Sequence, residues 1–350
     1  MRKMPILVLL LALILCCFSA AAEEMDWRAL EGGELRLYVG CDETHGAAVV
    51  HAFEEKTGIK TSFARFSSNE CYTRILEERA DPQADVWYGG TWDHYIAAAK
   101  QGLLYAYANF EHAPYKSMNY GIGEPCWFGI YSGYIGFICD MDALAKANVA
   151  APTSWEDLAK PEYAGMICMA NPLATGTGVM TVSILIQRYG EDRALELLAA
   201  IDANVASYAS TGSNVTATVA AGNAAIGVGF LHTGLMYIEN GYDNLRLYAP
   251  SDGTGYEVGG TAIIAGAKNL DEAKLFLAFA MSPECQEIGQ TVGALQFLTV
   301  EGAQNPESAQ LLIDMGINLI DYNSVWTGEN KDYIIEVWNS VASAEKIQSE

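Results

Sequence analysis

The feature that most constrains this chain is a strand–helix alternation, repeated three times in its first third. Leu35 to Val39 is an apolar run of strand length. Thr44 then opens a helical pattern with Ala47, Val50 and Phe53 on one face, and Gly58 closes it. Ile59 to Phe63 is a second strand, and Ser67-Ser68-Asn69 leads into a helix from Tyr72 to Arg79. Asp85 to Tyr88 is a third strand, ending at Gly89-Gly90-Thr91, and a helix follows from Trp92 to Gln101. Successive strands separated by helices predict a mainly parallel sheet with helices packed on it. Ligands of such sheets sit beyond the carboxyl ends of the strands. Asp42, Thr44, His45, Ser67, Ser68, Asn69, Gly90 and Thr91 therefore become candidate binding residues.

The alternation resumes between Gly165 and Leu247. Met169 to Val182 reads as a strand, a Thr-Gly-Thr-Gly turn and a helix start. The first N–H groups of a helix lack internal partners, and the helix dipole places partial positive charge there. Thr175, Gly176 and Thr177 can thus cradle an anion. Ser210, Thr211, Gly212 and Ser213 repeat the chemistry before a second helical run. Ordinary strand-to-helix turns use the same residues, so both readings stand. Ala224 to Phe230 is a buried strand with His232 and Thr233 at its end. His232 suits a charge-assisted bond or a hydroxyl contact, or is a satisfied strand-end histidine. Glu257 suits ligand hydroxyls or an amine, or is a surface carboxylate. Asp42, Glu43 and His45 have metal-ligand chemistry, but helix capping and solvent exposure account for them more simply, and no metal is expected. Trp92 and Tyr134 are read as packing residues.

Two transition zones, near 131–140 and 247–251, let the chain leave one lobe, build another and return. The expected lobes are 33–133 with 249–350, and 134–248. In the first zone, Trp127 to Tyr131 and Tyr134 to Ile138 read as two strands around a Ser132-Gly133 loop. That hairpin would set Cys126 opposite Cys139. Cys41 and Cys71 form a second candidate pair, each following a strand in neighbouring units. Buried free thiols are the equal alternative.

The hydrophobic content of 51% supports cores for two domains. Arg2 and Lys3 precede an apolar run from Ile6 to Phe18 and then Ser19 to Ala22, so residues 1–22 read as a signal peptide for export. The run is short of a bilayer span. Cys16 and Cys17 raise a lipid anchor, but Ile14 and Leu15 stand where a lipoprotein signal wants a small residue. Export makes disulfides permissible. The net charge of −23 disfavours nucleic acid and anionic membranes as partners. The chain has no G-x-S-x-G, H-E-x-x-H or Walker lysine, and its five histidines lack metal spacing. No catalytic residue and no cofactor are therefore expected, and a secreted phosphate-ester hydrolase is the rival reading.

Ala84-Asp85-Val86-Trp87-Tyr88-Gly89-Gly90, Pro152 to Leu158 with Pro161 to Gly165, and Asp321-Tyr322 through Trp326 to Trp338 stand in an order that resembles a known family. The chain is similar to the two-lobed substrate-binding proteins of bacterial ABC importers, in the branch for iron(III), phosphonates and organophosphates. The resemblance implies a type II periplasmic binding fold, two α/β lobes joined by a hinge of two crossings. It further implies a monomer outside the cytoplasm that delivers its ligand to an ABC permease in the membrane. Iron-binding relatives use adjacent tyrosines late in the second lobe. Here that region reads Phe230 to Gly234, with Tyr237 and Tyr242 nearby but not adjacent, so iron is the alternative ligand. Sugar-phosphate-binding relatives have a His-Asp pair there and a later Gly-Tyr-Glu. This chain keeps His232 and Gly255-Tyr256-Glu257 but has Thr233 in place of the acid. The resemblance thus implies a small phosphorylated ligand, held also by Tyr256 and Glu257.

Overall fold

The computed structural model describes residues 25–107, 126–343 and 346, and the expected signal peptide lies outside them. The first part runs β1 (Glu34–Val39), α1 (Glu43–Thr57), β2 (Lys60–Arg65), α2 (Ser68–Glu77), β3 (Val86–Thr91) and α3 (Trp92–Lys100). A long strand, β4 (Phe128–Asp140), leads to α4 (Met141–Ala147). The middle part is β5 (Ile167–Ala170), α5 (Gly176–Tyr189), α6 (Glu191–Asn204), β6 (Val205–Ala209), α7 (Gly212–Ala220), β7 (Ile226–Phe230), α8 (Leu231–Glu239) and β8 (Leu245–Tyr248). The chain closes with β9 (Tyr256–Ile263), α9 (Leu270–Ala280), α10 (Pro283–Ile288), β10 (Phe297–Leu298), α11 (Gln310–Asp314), α12 (Ser324–Glu329) and α13 (Lys331–Asn339).

The strands lie in the order β2-β1-β3-β9-β4-β7-β5-β6, with β8 and β10 also pairing β4. β1 is parallel to β2 and β3, and β5 is parallel to β6 and β7. Two parallel halves are therefore joined through antiparallel β4 and β9. β4 serves both: Phe128 to Tyr134 pair with β9, and Ile135 to Cys139 pair with β7. This is the two-lobed α/β fold, with β4 as one crossing and the segment from β8 to β9 as another.

β4 corrects the hairpin reading. Ser132 pairs with Val258 and Phe297, and Gly133 pairs with Glu257, so the strand runs straight through. Partners from β9 and β10 satisfy its backbone, and the chain has no need to fold back on itself. Cys126 and Cys139 are then separated by roughly 40 Å of nearly extended chain, far beyond a disulfide's reach. Cys41 and Cys71 are likewise unpaired, and all six described cysteines are free. Five of the six are buried, and burial pushes the Cys139 thiol up to about 12.

One apolar cluster fills the first half, and a larger one runs through both. Leu35, Leu37 and Val39 of β1 pack with Val49 and Phe53 of α1 and with Phe276 and Phe279 of α9. Trp87 stacks on Tyr95 with ring centroids 3.9 Å apart. In the second half Phe137 meets Trp155 edge-on at 5.2 Å. Each such fully buried aliphatic or aromatic side chain contributes about 1.5–3 kcal/mol. Asp85 is buried but fully engaged: it accepts from Arg36 N, Lys268 N, Asn269 N and Asn269 Nδ2, which ties β1 to the start of α9.

Candidate ligand-binding cleft

Because β2, β1 and β3 run one way and β7, β5 and β6 share a direction, each half presents a row of strand carboxyl ends. Six helices start there: α1, α2 and α3 from the first half, α5, α7 and α8 from the second. Residues at all six starts or their caps line one cleft. They are Asp42 (α1), Ser67 and Ser68 (α2), Gly90 and Thr91 (α3), Thr175 to Thr177 (α5), Thr211 to Ser213 (α7), and His232 with Thr233 (α8). β9 adds Glu257. The halves meet closely. A Cβ at Gly176 would collide with Thr91 Oγ1, and one at Gly212 would collide with Thr177 Oγ1. Only glycine lets these helix starts approach so near.

The hydroxyls divide into two sets. Thr175 Oγ1 accepts from Gly178 N at 2.9 Å and donates to Asn171 O at 3.0 Å, so it caps its own helix and has no hydrogen left for a ligand. Thr211 Oγ1 accepts from Asn214 N in the same way. Ser67 forms a capping box with Glu70, and Ser68 Oγ accepts from Thr91 N at 3.1 Å. These caps fix the starts of α2, α5 and α7 at the cleft. Thr177 and Ser213, one step further in, offer hydroxyls as well as N–H groups.

The charges are sparse and unequal. Arg65, at the end of β2, is the one cation among the described cleft-lining residues. Its Nε donates to Cys41 O at 3.1 Å, which anchors the stem and leaves the outer guanidinium nitrogens for the cleft. Burial raises the Glu257 carboxyl well above its usual range, with Asp93 and Asp42 adding repulsion, which favours its neutral form. Burial pushes His232 down to about 4, so it is neutral, and its Nδ1 has no hydrogen-bond partner. Its ring stacks on Phe230 at 5.2 Å. The arrangement is one guanidinium, one half-exposed carboxylate at Asp42, neutral donor–acceptors, and six positive helix ends.

Five of the expected residues lie off the cleft lining: Thr44, His45, Asn69, Ser210 and Tyr256. Thr44 is exposed. His45 turns into the core of the first half, 3.4 Å from the Tyr88 hydroxyl, and burial pushes it down to about 4. Asp42, Glu43 and His45 therefore point apart, and no metal-ligand cluster occurs among the described residues. Asn69 instead bonds Leu173 O across the two halves. Tyr256 packs beside Trp92 and Tyr322. Arg65, Tyr131 and Gln296 are cleft residues that the sequence reading missed. Tyr131 Oη accepts from Gly90 N at 3.0 Å. Arg65 carried a signal, as the one cation between the second strand and Ser67. Gln296 reaches the cleft from just before β10, which no local pattern reveals.

Two parallel-stranded halves that share β4, with a polar cleft at the carboxyl ends of both, define a two-lobed α/β binding protein. The chain belongs to the bacterial extracellular solute-binding proteins, whose family model matches residues 84–313. It resembles the periplasmic binding protein AfuA from Actinobacillus pleuropneumoniae, solved with fructose-6-phosphate bound, at 33% identity and a TM-score of 0.83, over 91% of this chain and 100% of that one. It is 34% identical to an uncharacterized protein of Haemophilus influenzae, over 87% of this chain and 89% of that protein. A putative 2-aminoethylphosphonate-binding periplasmic protein of Salmonella typhimurium is 27% identical, over 67% of this chain and 68% of its own. The chain is thus the periplasmic solute-binding component of an ABC importer.

Proposed function

We propose that this protein captures a small phosphorylated ligand, a sugar phosphate, another organophosphate or a phosphonate, between its lobes and presents it to a membrane permease as a monomer. The observation that carries the reading is the convergence of six helix starts on a cleft whose only cation among the described residues is Arg65. A helix start favours an anion by about 0.3–1 kcal/mol, up to ~2 kcal/mol when partly buried, so several together replace the missing lysines. The phosphoryl group takes the Arg65 guanidinium, the N–H groups of Thr177 and Ser213, and their hydroxyls. The neutral groups of Glu257, His232, Thr233 and Gln296 serve the ligand's uncharged polar part. Fructose-6-phosphate in AfuA is a ligand of this type.

The lobes are taken as 33–133 with 249–350, and 134–248, except that α13 and the residues after it, which pack on Tyr208 and Asp202 of the second half, are assigned with Lys331 to the second lobe. Only their approach brings both sets of helix starts onto one phosphate, so binding favours the closed form. Iron(III) fits less well, because it wants anionic oxygens. Burial raises both the Glu257 carboxyl and the Tyr131 phenol well above their usual ranges, which disfavours the anionic oxygen that each would have to supply.

A thermal-shift screen of the exported protein against phosphate esters, phosphonates and Fe³⁺ tests the reading. A ligand at a hundredfold excess over its Kd adds about 2.7 kcal/mol of stability. The reading expects a phosphorylated compound to raise Tm without being consumed. A response to Fe³⁺ alone would overturn it, and steady release of phosphate would point to a hydrolase.

A further inference from the structure

The C-terminal segment carries a buried cation that the binding reading does not use. α12 packs on α3 of the first half so closely that a Cβ at Gly328 would stand 2.6 Å from Asp93 O. It also touches α5 of the second half: Thr327 Oγ1 lies 2.6 Å from Ser183 Oγ, and Asn323 N donates to Gln187 Oε1 at 2.7 Å. α13 then lies along the second half. Trp338 meets Tyr208 edge-on at 5.2 Å, and Ser343 N donates to Asp202 Oδ1. The chain thus passes between the halves once more at Asn330, and the residue at the junction is Lys331.

Lys331 is 8% exposed. Its ammonium bonds Asn69 Oδ1 and lies 4.6 Å from the centre of the Tyr72 ring, both on α2 of the first half. The Asn69 amide then donates from Nδ2 to Leu173 O at 2.9 Å, on the loop between β5 and α5 of the second half. Asn69 is therefore held from two directions by groups that belong to the other side. Asp93 and His94 lie behind, their side chains 2.8 Å apart and fully buried; burial pushes the Lys331 ammonium below its usual range, and Asp93 offsets part of that. None of these groups lines the cleft.

We propose that Lys331, Asn69 and the Leu173 carbonyl form a clasp that holds the two lobes closed, and that α13 is the strap that brings Lys331 to it. If α13 and Leu173 travel with the second lobe, opening breaks both bonds of Asn69 and the Tyr72 contact, the interactions that offset the cost of burying the ammonium. Closure then has an intrinsic stabilisation independent of the ligand, and the clasp sets how much of the empty protein is closed. Asn69, a candidate ligand contact from its place in the sequence, acts instead on the lobe equilibrium.

Small-angle scattering of the ligand-free protein tests this without reference to any ligand, so it stands or falls apart from the phosphate reading. The wild type is compared with Lys331→Met, Asn69→Ala, Asn69→Asp and the Lys331→Met/Asn69→Ala double variant, each checked for cooperative melting. The single variants should show a larger radius of gyration than the wild type, and the double variant no more than either, because one clasp has been lost in each case. Asn69→Asp keeps the partner of Lys331 but loses the donor to Leu173, and should open as well. Asn69 is only half-buried, so its variants carry the test if Lys331→Met does not fold. Identical profiles in all forms, or expansion on losing Asn69 but not Lys331, would overturn the clasp.

Discussion

Replacing Arg65 by methionine removes the only positive side chain among the cleft's described residues while keeping much of the stem's packing. In the proposed complex two outer guanidinium nitrogens face the phosphoryl group. Hydrogen bonds to charged groups contribute about 1.5–3 kcal/mol each. The pair shares one charge and one desolvation cost, so the expected loss is about 3–4 kcal/mol, or roughly a hundredfold to a thousandfold in Kd. The variant also loses the bond to Cys41 O, which steadies the loop bearing Asp42. That bond is also donated by the charged guanidinium and contributes about 1.5–3 kcal/mol, and its loss should appear mainly in stability. Arg65→Lys keeps the charge but not the planar fork, and should fall between the two. Calorimetric titration with the compound found by thermal shift measures all three proteins. An Arg65→Met variant that melts normally and binds with an unchanged Kd would refute the placement of the phosphate at this pole.

Thr177→Ala or Ser213→Ala should weaken binding by about 0.5–3 kcal/mol, and glutamate at either position should abolish it by repelling the anion; titration showing normal binding by Thr177→Glu would make these turns purely structural. Glu257 is a buried acid with a raised pKa, so the folded state holds its proton to higher pH than the unfolded state. The native protein therefore loses stability as pH rises above the ordinary carboxyl value of about 4.5, and Glu257→Gln should gain Tm relative to wild type near pH 7 while binding ligand more weakly. An unchanged Tm difference between pH 4 and pH 8 would contradict that sign. His45 and His232, both pushed down to about 4, work the other way: the unfolded state gains their protons first, so stability falls as pH drops from about 6.5 toward 4. Thiol labelling should reach Cys126 first and the other five only on unfolding; a pair that labels in the unfolded protein only after reduction would show a disulfide after all.

The parallel units were legible because each strand and helix declares itself within about ten residues through its own periodicity. The same local signals placed the helix starts, and so most of the cleft. What failed needed partners from far along the chain. Ser132-Gly133 looks like a turn only until β9 and β10 arrive beside it. His45 lies three residues from Asp42, but α1 starts at Glu43, and one helical turn swings His45 onto the face shared by Val49 and away from the ligand. Arg65 fell into the gap left by ending the second strand at Phe63, whereas β2 extends to Arg65 through its pairing with Val39. The tie between Asn69 and Lys331 spans 262 residues, and no pattern of spacing reports it.

The central claim is that this cleft selects a phosphorylated solute by helix starts and one guanidinium. Calorimetric titration of the exported protein with phosphate esters, phosphonates and Fe³⁺ tests it most directly. The account predicts one-to-one binding of a phosphorylated compound, weakened at least a hundredfold by Arg65→Met. Tight binding of Fe³⁺ together with no heat from any phosphorylated compound would contradict it.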